Sequence, residues 1–405
     1  MSEARVIYFT EISAPVLLDD APELLDAISA IMPGWPYAVE TSAHADKPFF
    51  SVRRGPKKGR YFCHKFDEPE KPRALDTVNA VCDLVAAASH ALPQSKGNLL
   101  CLHSAALDFG GRLVVFPNTR RAGKSTLTAC LAHEGYPVFT DDFLPVTSDI
   151  EGRVIGRANG VSPRLRLPLP AHCSEDFAEW VDTNPGPRNA QYKYLTLANL
   201  PDNGQTLPLG AIVFLNRQES GPATLSEIGP AEAMERLLYQ NFARELHSWV
   251  ILEIVKAMLE SLPLQVLTYA SVHDAAQCLG AAFSDWPGET PANEQLATLE
   301  FRPAVFEEEL ARAKLTPNRL CQRNDGVFVT SVGDATYMSD PLGRGIYHAN
   351  PTTQAIWEAL QEPNTPADIV SAFQDAFPEE KPDQIEADVS AVIAKLLRSG
   401  LISHL

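Results

Sequence analysis

The rhythm of apolar positions divides the chain into three stretches. Residues 1 to about 95 alternate short β-like runs, Val6-Ile7-Tyr8-Phe9, Phe49-Phe50-Ser51-Val52 and Arg60-Tyr61-Phe62-Cys63, with turns containing Pro and Gly, and close on a helix near 75–92. This predicts an N-terminal α/β layer. From Leu99 the pattern becomes strand, glycine turn, strand, loop and helix, and Leu113-Val114-Val115-Phe116 is the unbroken apolar run of a buried strand. Further runs at Pro137–Phe139 and Ala211–Leu215, with helices near 124–134, 230–242 and 249–261, carry this core to about residue 283. Ser284–Asn293 mixes Pro, Gly and acidic residues and reads as a linker. Beyond residue 319, Gly326–Val332, Thr336–Asp340 and Gly345–Asn350 read as short strands. Pro351–Leu360, Pro366–Phe377 and Pro382–Ser399 each place proline near the start of a helix, and Gly400 is suited to cap the last one. The expected domains are therefore 1–95, 96–283 and 319–405, with 284–318 as the linker.

At 405 residues the chain exceeds what one hydrophobic core usually holds, and 45% hydrophobic with 21% charged residues is an ordinary folded composition. The 51 acidic against 34 basic residues, a net charge of -17, repel a phosphate backbone, so no nucleic-acid partner is expected. The seven cysteines never occur as Cys-x-x-Cys, which suggests neither a disulfide framework nor a zinc site and fits a reducing compartment. The opening MSEARVIYFTEISAP lacks the layout of a secretory signal, and the apolar stretch Leu75–Leu92 is interrupted by Asp76, Asn79, Asp83 and His90. A soluble cytoplasmic protein without a membrane partner is the expectation, with homo-oligomer formation left open.

The chemistry concentrates in Leu113–Leu127. A strand is followed by Asn118-Thr119-Arg120-Arg121-Ala122-Gly123-Lys124-Ser125-Thr126 and then a helix, the context of a phosphate-binding loop. In such a loop, backbone N–H groups and the helix dipole face the phosphates, Lys124 neutralises the β- and γ-phosphates, and the Ser125 hydroxyl ligates Mg²⁺. Asn118 and Arg121 stand where glycines are usual. Asparagine tolerates positive φ, whereas Arg121 fits such a position less easily and instead has the reach to touch phosphate. The competing reading is a helix start that merely contains Gly-Lys-Ser-Thr.

Asp141 and Asp142 follow Pro137–Thr140 about one helix after the loop, where an adjacent parallel strand would end beside the phosphates. Two carboxylates there can divide metal holding and proton acceptance, although alone they also read as a solvated turn. His103 precedes the loop strand and alone reads as a structural group. Arg164, Arg166, Arg188 and Lys193 are candidate phosphate or acceptor contacts, with solvated charges the weightier reading.

The set His103, Gly110–Gly111, Gly123-Lys124-Ser125 and Asp141–Asp142 resembles the HPr serine kinase/phosphorylase family over roughly residues 95–280. The resemblance implies a P-loop kinase core that binds ATP and Mg²⁺. In it Asp141 is the general base, Asp142 a magnesium contact and His103 a polar partner of the transferred phosphoryl group. The glycine-rich sequence that the family links to phosphorolysis is not recognisable in Ile155–Pro170, so a kinase without the reverse activity is implied.

At the other end, Gly343–Asn350, Thr352–Trp357 and the closing Leu-Leu-Arg-Ser-Gly-Leu-Ile resemble the PqqD family over about 319–405. This implies a small winged-helix-like α+β domain that recognises leader peptides of ribosomally made, modified peptides (RiPPs). Tyr347 and Trp357 are expected in its core. Such a domain binds by strand addition, here at the edge Gly345–Asn350 and the helix Asp383–Ser399. Six Lys/Arg against twelve Asp/Glu in 319–405 argue against DNA as its ligand. Together the two resemblances imply an ATP-dependent Ser/Thr kinase of a precursor peptide, the alternative being a non-catalytic, nucleotide-gated peptide carrier.

Overall fold

The computed structural model describes residues 4–42, 45–66, 74–97, 99–117, 122–170, 173–242, 246–286 and 315–405. The chain falls into two compact units. One comprises Met1–Ile228, Glu235–Glu245 and Met258–Ala297, the other Gly229–Met234, Leu246–Ala257 and Thr298–Leu405. Most of the expected linker, 287–314, lies outside the described residues.

The first unit holds two large sheets. The six-stranded sheet runs in the order Tyr37–Thr41, Arg5–Phe9, Val16–Asp19, Phe50–Arg54, Tyr61–Lys65, Ala74–Leu75. Tyr37–Thr41 is an edge strand with four exposed residues in succession, so it shows none of the apolar alternation that marks its neighbours. The helix Thr77–Lys96 begins where the Asp76 carboxylate accepts from the Asn79 N–H at 2.9 Å, and it ends at Gly97 with φ +71°. Val78, Val81, Leu84, Val85, Ala88 and Leu92 of this helix join Ile7, Leu18, Phe50 and Tyr61 in one core. The same core includes Cys101, Phe143, Val161 and Tyr194. This continuous packing crosses position 95/96, so residues 1–95 share a compact unit with the segment that follows.

The nine-stranded sheet is organised by Thr206–Arg217. Its first part pairs antiparallel with Val154–Arg157. Further along it pairs in parallel with Leu113–Pro117 and with Leu264–Tyr269. Ser104–Asp108 lies antiparallel on Leu113–Pro117, and Val138–Thr140 lies antiparallel on Ser104–Asp108. The strand leading to the Asp pair thus runs in the same direction as the loop strand but is not adjacent to it, contrary to the expectation. The reason is local. Gly110 and Gly111, at φ +66° and +89°, close a tight hairpin whose Gly111 N–H donates to the Asp108 carboxylate at 2.6 Å. The hairpin's own first strand therefore occupies the place beside Leu113–Pro117. The helices Lys124–His133, Glu175–Thr183 and Val272–Phe283 share a core with the strands through Leu127, Leu131, Phe177, Val181, Ala276 and Leu279.

In the second unit Phe328–Val332, Ala335–Ser339 and Ile346–Ala349 form an antiparallel three-stranded sheet, and Cys321–Arg323 pairs with Ile402–His404. The helices Pro351–Ala359 and Pro366–Ala376 start at Asn350 and Thr365, whose side chains accept from Thr353 and Asp368 N–H groups, with proline in the first turn. Pro382–Arg398 buries Ile385, Val389, Ile393, Leu396 and Leu397, and Gly400 follows at φ +69°. Trp357 is a core residue and Tyr347 packs partly buried against the same cluster.

Candidate functional site

Leu113–Pro117 is buried throughout and delivers the chain to residues 118–121, which lie outside the described residues. The chain is described again at Ala122 and Gly123. Gly123 adopts φ +98°, and a Cβ there would lie 2.5 Å from the Tyr269 hydroxyl, so glycine is required on both conformational and steric grounds. That hydroxyl donates to the Ala122 carbonyl at 3.3 Å and so fixes the turn. Gly123 also N-caps Lys124–His133 and, as glycine, offers no side-chain cap, an arrangement in which the helix's first N–H groups can meet an anion. Lys124 opens this helix and is 7% exposed, buried rather than an exposed loop lysine. Ser125 follows it, and Thr126 sits in the first turn.

The Asp pair is set by a buried turn in which the Thr140 hydroxyl donates to the Phe143 carbonyl at 2.8 Å. Asp141 is 4% exposed. Its Oδ2 accepts the Arg164 N–H at 3.1 Å, while its buried Oδ1 has no hydrogen-bond partner of normal geometry among the described residues. Burial above all, then the Asp142 charge, raises its carboxyl to about 6, against the opposing pull of the Arg164 N–H and the Ser125 hydroxyl. Asp142 is half-exposed; its Oδ2 pairs with the Arg164 guanidinium at 3.2 Å, and its carbonyl lies 3.0 Å from His103 Nδ1. Because a carbonyl only accepts, Nδ1 carries the proton in this contact, which leaves Nε2 of a neutral imidazole as an acceptor.

Arg164 therefore joins Asp141 to Asp142, while Ser125 meets Asp141 and His103 meets Asp142. Asn118, Thr119, Arg120 and Arg121 lie outside the described residues. Arg164 is no solvated charge: it also contacts Cys82 Sγ and stacks 5.0 Å from the Tyr192 ring. Its importance was hidden because its partners lie more than twenty residues away along the chain. Lys193 is likewise buried, its ammonium donating to the Asp182 carbonyl at 2.9 Å. Arg166 lies over Tyr192, and Arg188 pairs with Asp182. A small recess beside the pair is lined by Val85, Asn159, Val161, Ser162 and Tyr194.

The helix start at Lys124 fits phosphate, and the hard oxygen donors of Ser125, Asp141 and Asp142, among them an Asp141 Oδ1 without a hydrogen-bond partner of normal geometry among the described residues, fit Mg²⁺. Burying Asp141 as a carboxylate carries a cost with a definite sign. Its pKa is 3.8 when unfolded and about 6 when folded, so the cost is absent below pH 3.8, grows between the two values and is complete above 6. Asp141→Asn without nucleotide or metal is expected to stabilise the fold at pH 8 by up to about 3 kcal/mol, with no gain near pH 3.5. Denaturant midpoints measured at both pH values check this; equal effects at both would show that Asp141 is not held at a raised pKa.

In the second unit, Ile346–Ala349 ends its sheet, and among the described residues no strand pairs with its outer edge. Residues 337–402 match the family model described as Coenzyme PQQ synthesis protein D (PqqD). This segment is a PqqD-like domain. The match is narrower than 319–405: it begins within Ala335–Ser339 and takes in all three helices of the unit's C-terminal part. The PqqD-like domain presents Ile346 and Tyr347 partly buried and His348 exposed, with His348 stacked 5.0 Å from Tyr337. The helix in contact with this edge strand is Pro351–Ala359; Pro382–Arg398, expected as its flanking helix, packs chiefly on Pro366–Ala376. No curated protein matches the chain. Among solved structures the chain is similar to the Hpr(Ser) kinase/phosphatase from Coxiella burnetii, with 10% identity over 45% of this chain and 91% of that one and a TM-score of 0.24. A likeness that slight carries no weight for fold or chemistry. Among the described residues no helix is long and apolar enough to cross a membrane.

Proposed function

We propose that this protein is an ATP-dependent phosphotransferase that phosphorylates a serine or threonine hydroxyl of a ribosomally made precursor peptide, held through its PqqD-like domain. The observation that carries the reading is Asp141: a buried carboxylate, raised to about 6, that accepts from the Ser125 hydroxyl at the start of the helix capped by Gly123. A base for a hydroxyl must be ionised near neutrality yet still basic, and a value near 6 satisfies both. In the reaction the acceptor oxygen bonds to the γ-phosphorus, the bond from that phosphorus to the ADP oxygen breaks, and Asp141 takes the hydroxyl proton. Lys124 neutralises phosphate charge. Ser125 and Asp142 would hold Mg²⁺, which supplies charge neutralisation when bound. His103 orients the Asp142 backbone, and Arg164 holds the two carboxylates together.

The PqqD-like match supports a peptide as acceptor, because an open sheet edge binds extended chain through backbone hydrogen bonds, and tethering raises the acceptor's local concentration. Incubation with ATP, Mg²⁺ and the precursor peptide encoded beside it should add the mass of one phosphate, with kcat rising through an apparent pKa near 6. Nucleotide binding with no gain of mass would reject the kinase and leave the nucleotide-gated carrier.

A further inference from the structure

The helix Lys124–His133 has a second polar cluster at its opposite end. Cys130, His133 and Glu134 meet Asp176, from the first turn of Glu175–Thr183, and His273, from the first turn of Val272–Phe283, around a cavity of about 240 Å³. The ligating atoms of Cys130, Glu134 and His273 all lie within 4.8 Å of one another. Cys130 and Glu134 are four residues apart and so share a helix face. His273 Nδ1 is 2.8 Å from Glu134 Oε1, and its Nε2 is 3.0 Å from the Gln277 side-chain amide. The Gln277 amide nitrogen donates to Nε2, so Nδ1 carries the proton toward Glu134. An ion on Nδ1 moves that proton to Nε2 and turns the Gln277 amide so that its oxygen accepts it, which then fixes the ring's orientation.

We propose that Cys130, Glu134 and His273 form a Zn²⁺ site, with the fourth position facing the cavity wall that carries His133 and Asp176. One sulfur, one nitrogen and one oxygen donor form the mixed set that zinc accepts, whereas Mg²⁺ and Ca²⁺ take oxygen. The charges also close: a thiolate and a carboxylate balance the divalent ion. A free thiol is protonated near neutrality, so uptake of Zn²⁺ releases that proton to solvent. The existing Glu134–His273 contact opens to admit the ion between the two side chains. Cys130 and Glu134 lie six and ten residues beyond Lys124, which at 1.5 Å each puts this site roughly 9–15 Å along the helix from it, separate from the phosphate-binding end.

The test uses the full chain, stripped with a chelator and titrated with Co²⁺. The site predicts saturation at one ion per chain with a thiolate-to-cobalt charge-transfer band, which Zn²⁺ then displaces. Oxygen ligands at Ser125 and the Asp pair give no such band. His273→Ala, at a side chain 56% exposed and therefore safe for folding, should weaken Co²⁺ binding at least about 100-fold, since even an indirect partner is worth 10–100-fold. Cys130→Ser should abolish the band. Absence of the band from the wild-type chain, or a band of unchanged affinity in either variant, would overturn the site.

Discussion

Replacing Lys124 by alanine is expected to lower phosphoryl transfer by at least about 10²–10³-fold, the range for losing one preorganised charge partner of a transition state. Lys124 sits in the first turn of the helix next to Gly123, where an ammonium and the helix's first N–H groups would face the same phosphates. Its burial makes the experiment more delicate than the sequence suggests: a 7% exposed side chain contributes packing as well as charge. Lys124→Met keeps most of the apolar stem and removes only the charge, so it separates the two contributions. Transfer is read by single-turnover kinetics, nucleotide affinity by calorimetry and folding by circular dichroism. Wild-type transfer by a folded Lys124→Met protein would dismiss the phosphate-binding assignment.

Disrupting the sheet edge of the PqqD-like domain should have the other large effect. Proline at position 346 removes a backbone donor and restricts φ in the strand Ile346–Ala349. If the leader adds as a further strand, Ile346→Pro should raise the apparent KM for the full precursor by at least about 10²-fold, the lower range of what tethering contributes. Turnover of a leaderless core peptide at high concentration should be unchanged. Deleting 319–405 is a poorer experiment, because the Ser248 hydroxyl meets that of Ser339 at 2.5 Å and Trp249 packs on Phe328, so deletion would strip both. Equal KM values for wild type and Ile346→Pro would separate the domain from substrate capture.

Much of the local architecture was legible. Prolines 351, 366 and 382 mark three helix starts because a ring that fixes φ and lacks an N–H is best tolerated in the first turn. The apolar run at 113–116 marks a strand because both its faces are buried. The strands at 144–148 and 154–157 and the helices at 175–183 and 272–283 were not anticipated. In Leu144–Ser148 and Val154–Arg157 nearly every residue is buried, so the alternation that signals a half-buried strand is missing.

The candidate site divides along the same line. Gly123, Lys124 and Ser125 could be read in order because a loop that turns from strand to helix is contiguous, and its φ and helix-start requirements act within a few residues. The sequence by itself determined these starts, turns and buried runs, together with the acidic balance and the PqqD-like ending. The tertiary structure alone decided that Arg164 joins both aspartates, that Asp141 is buried deeply enough to titrate near 6, and that a hairpin strand separates the two Asp-bearing and loop-bearing strands. It also gathered Cys130, Glu134 and His273, which no Cys-x-x-Cys spacing announces because they come from two helices far apart in the chain. The physical reason is range: turn and cap preferences act over three or four residues, whereas desolvation and charge pairing depend on which distant segments the sheet order sets side by side.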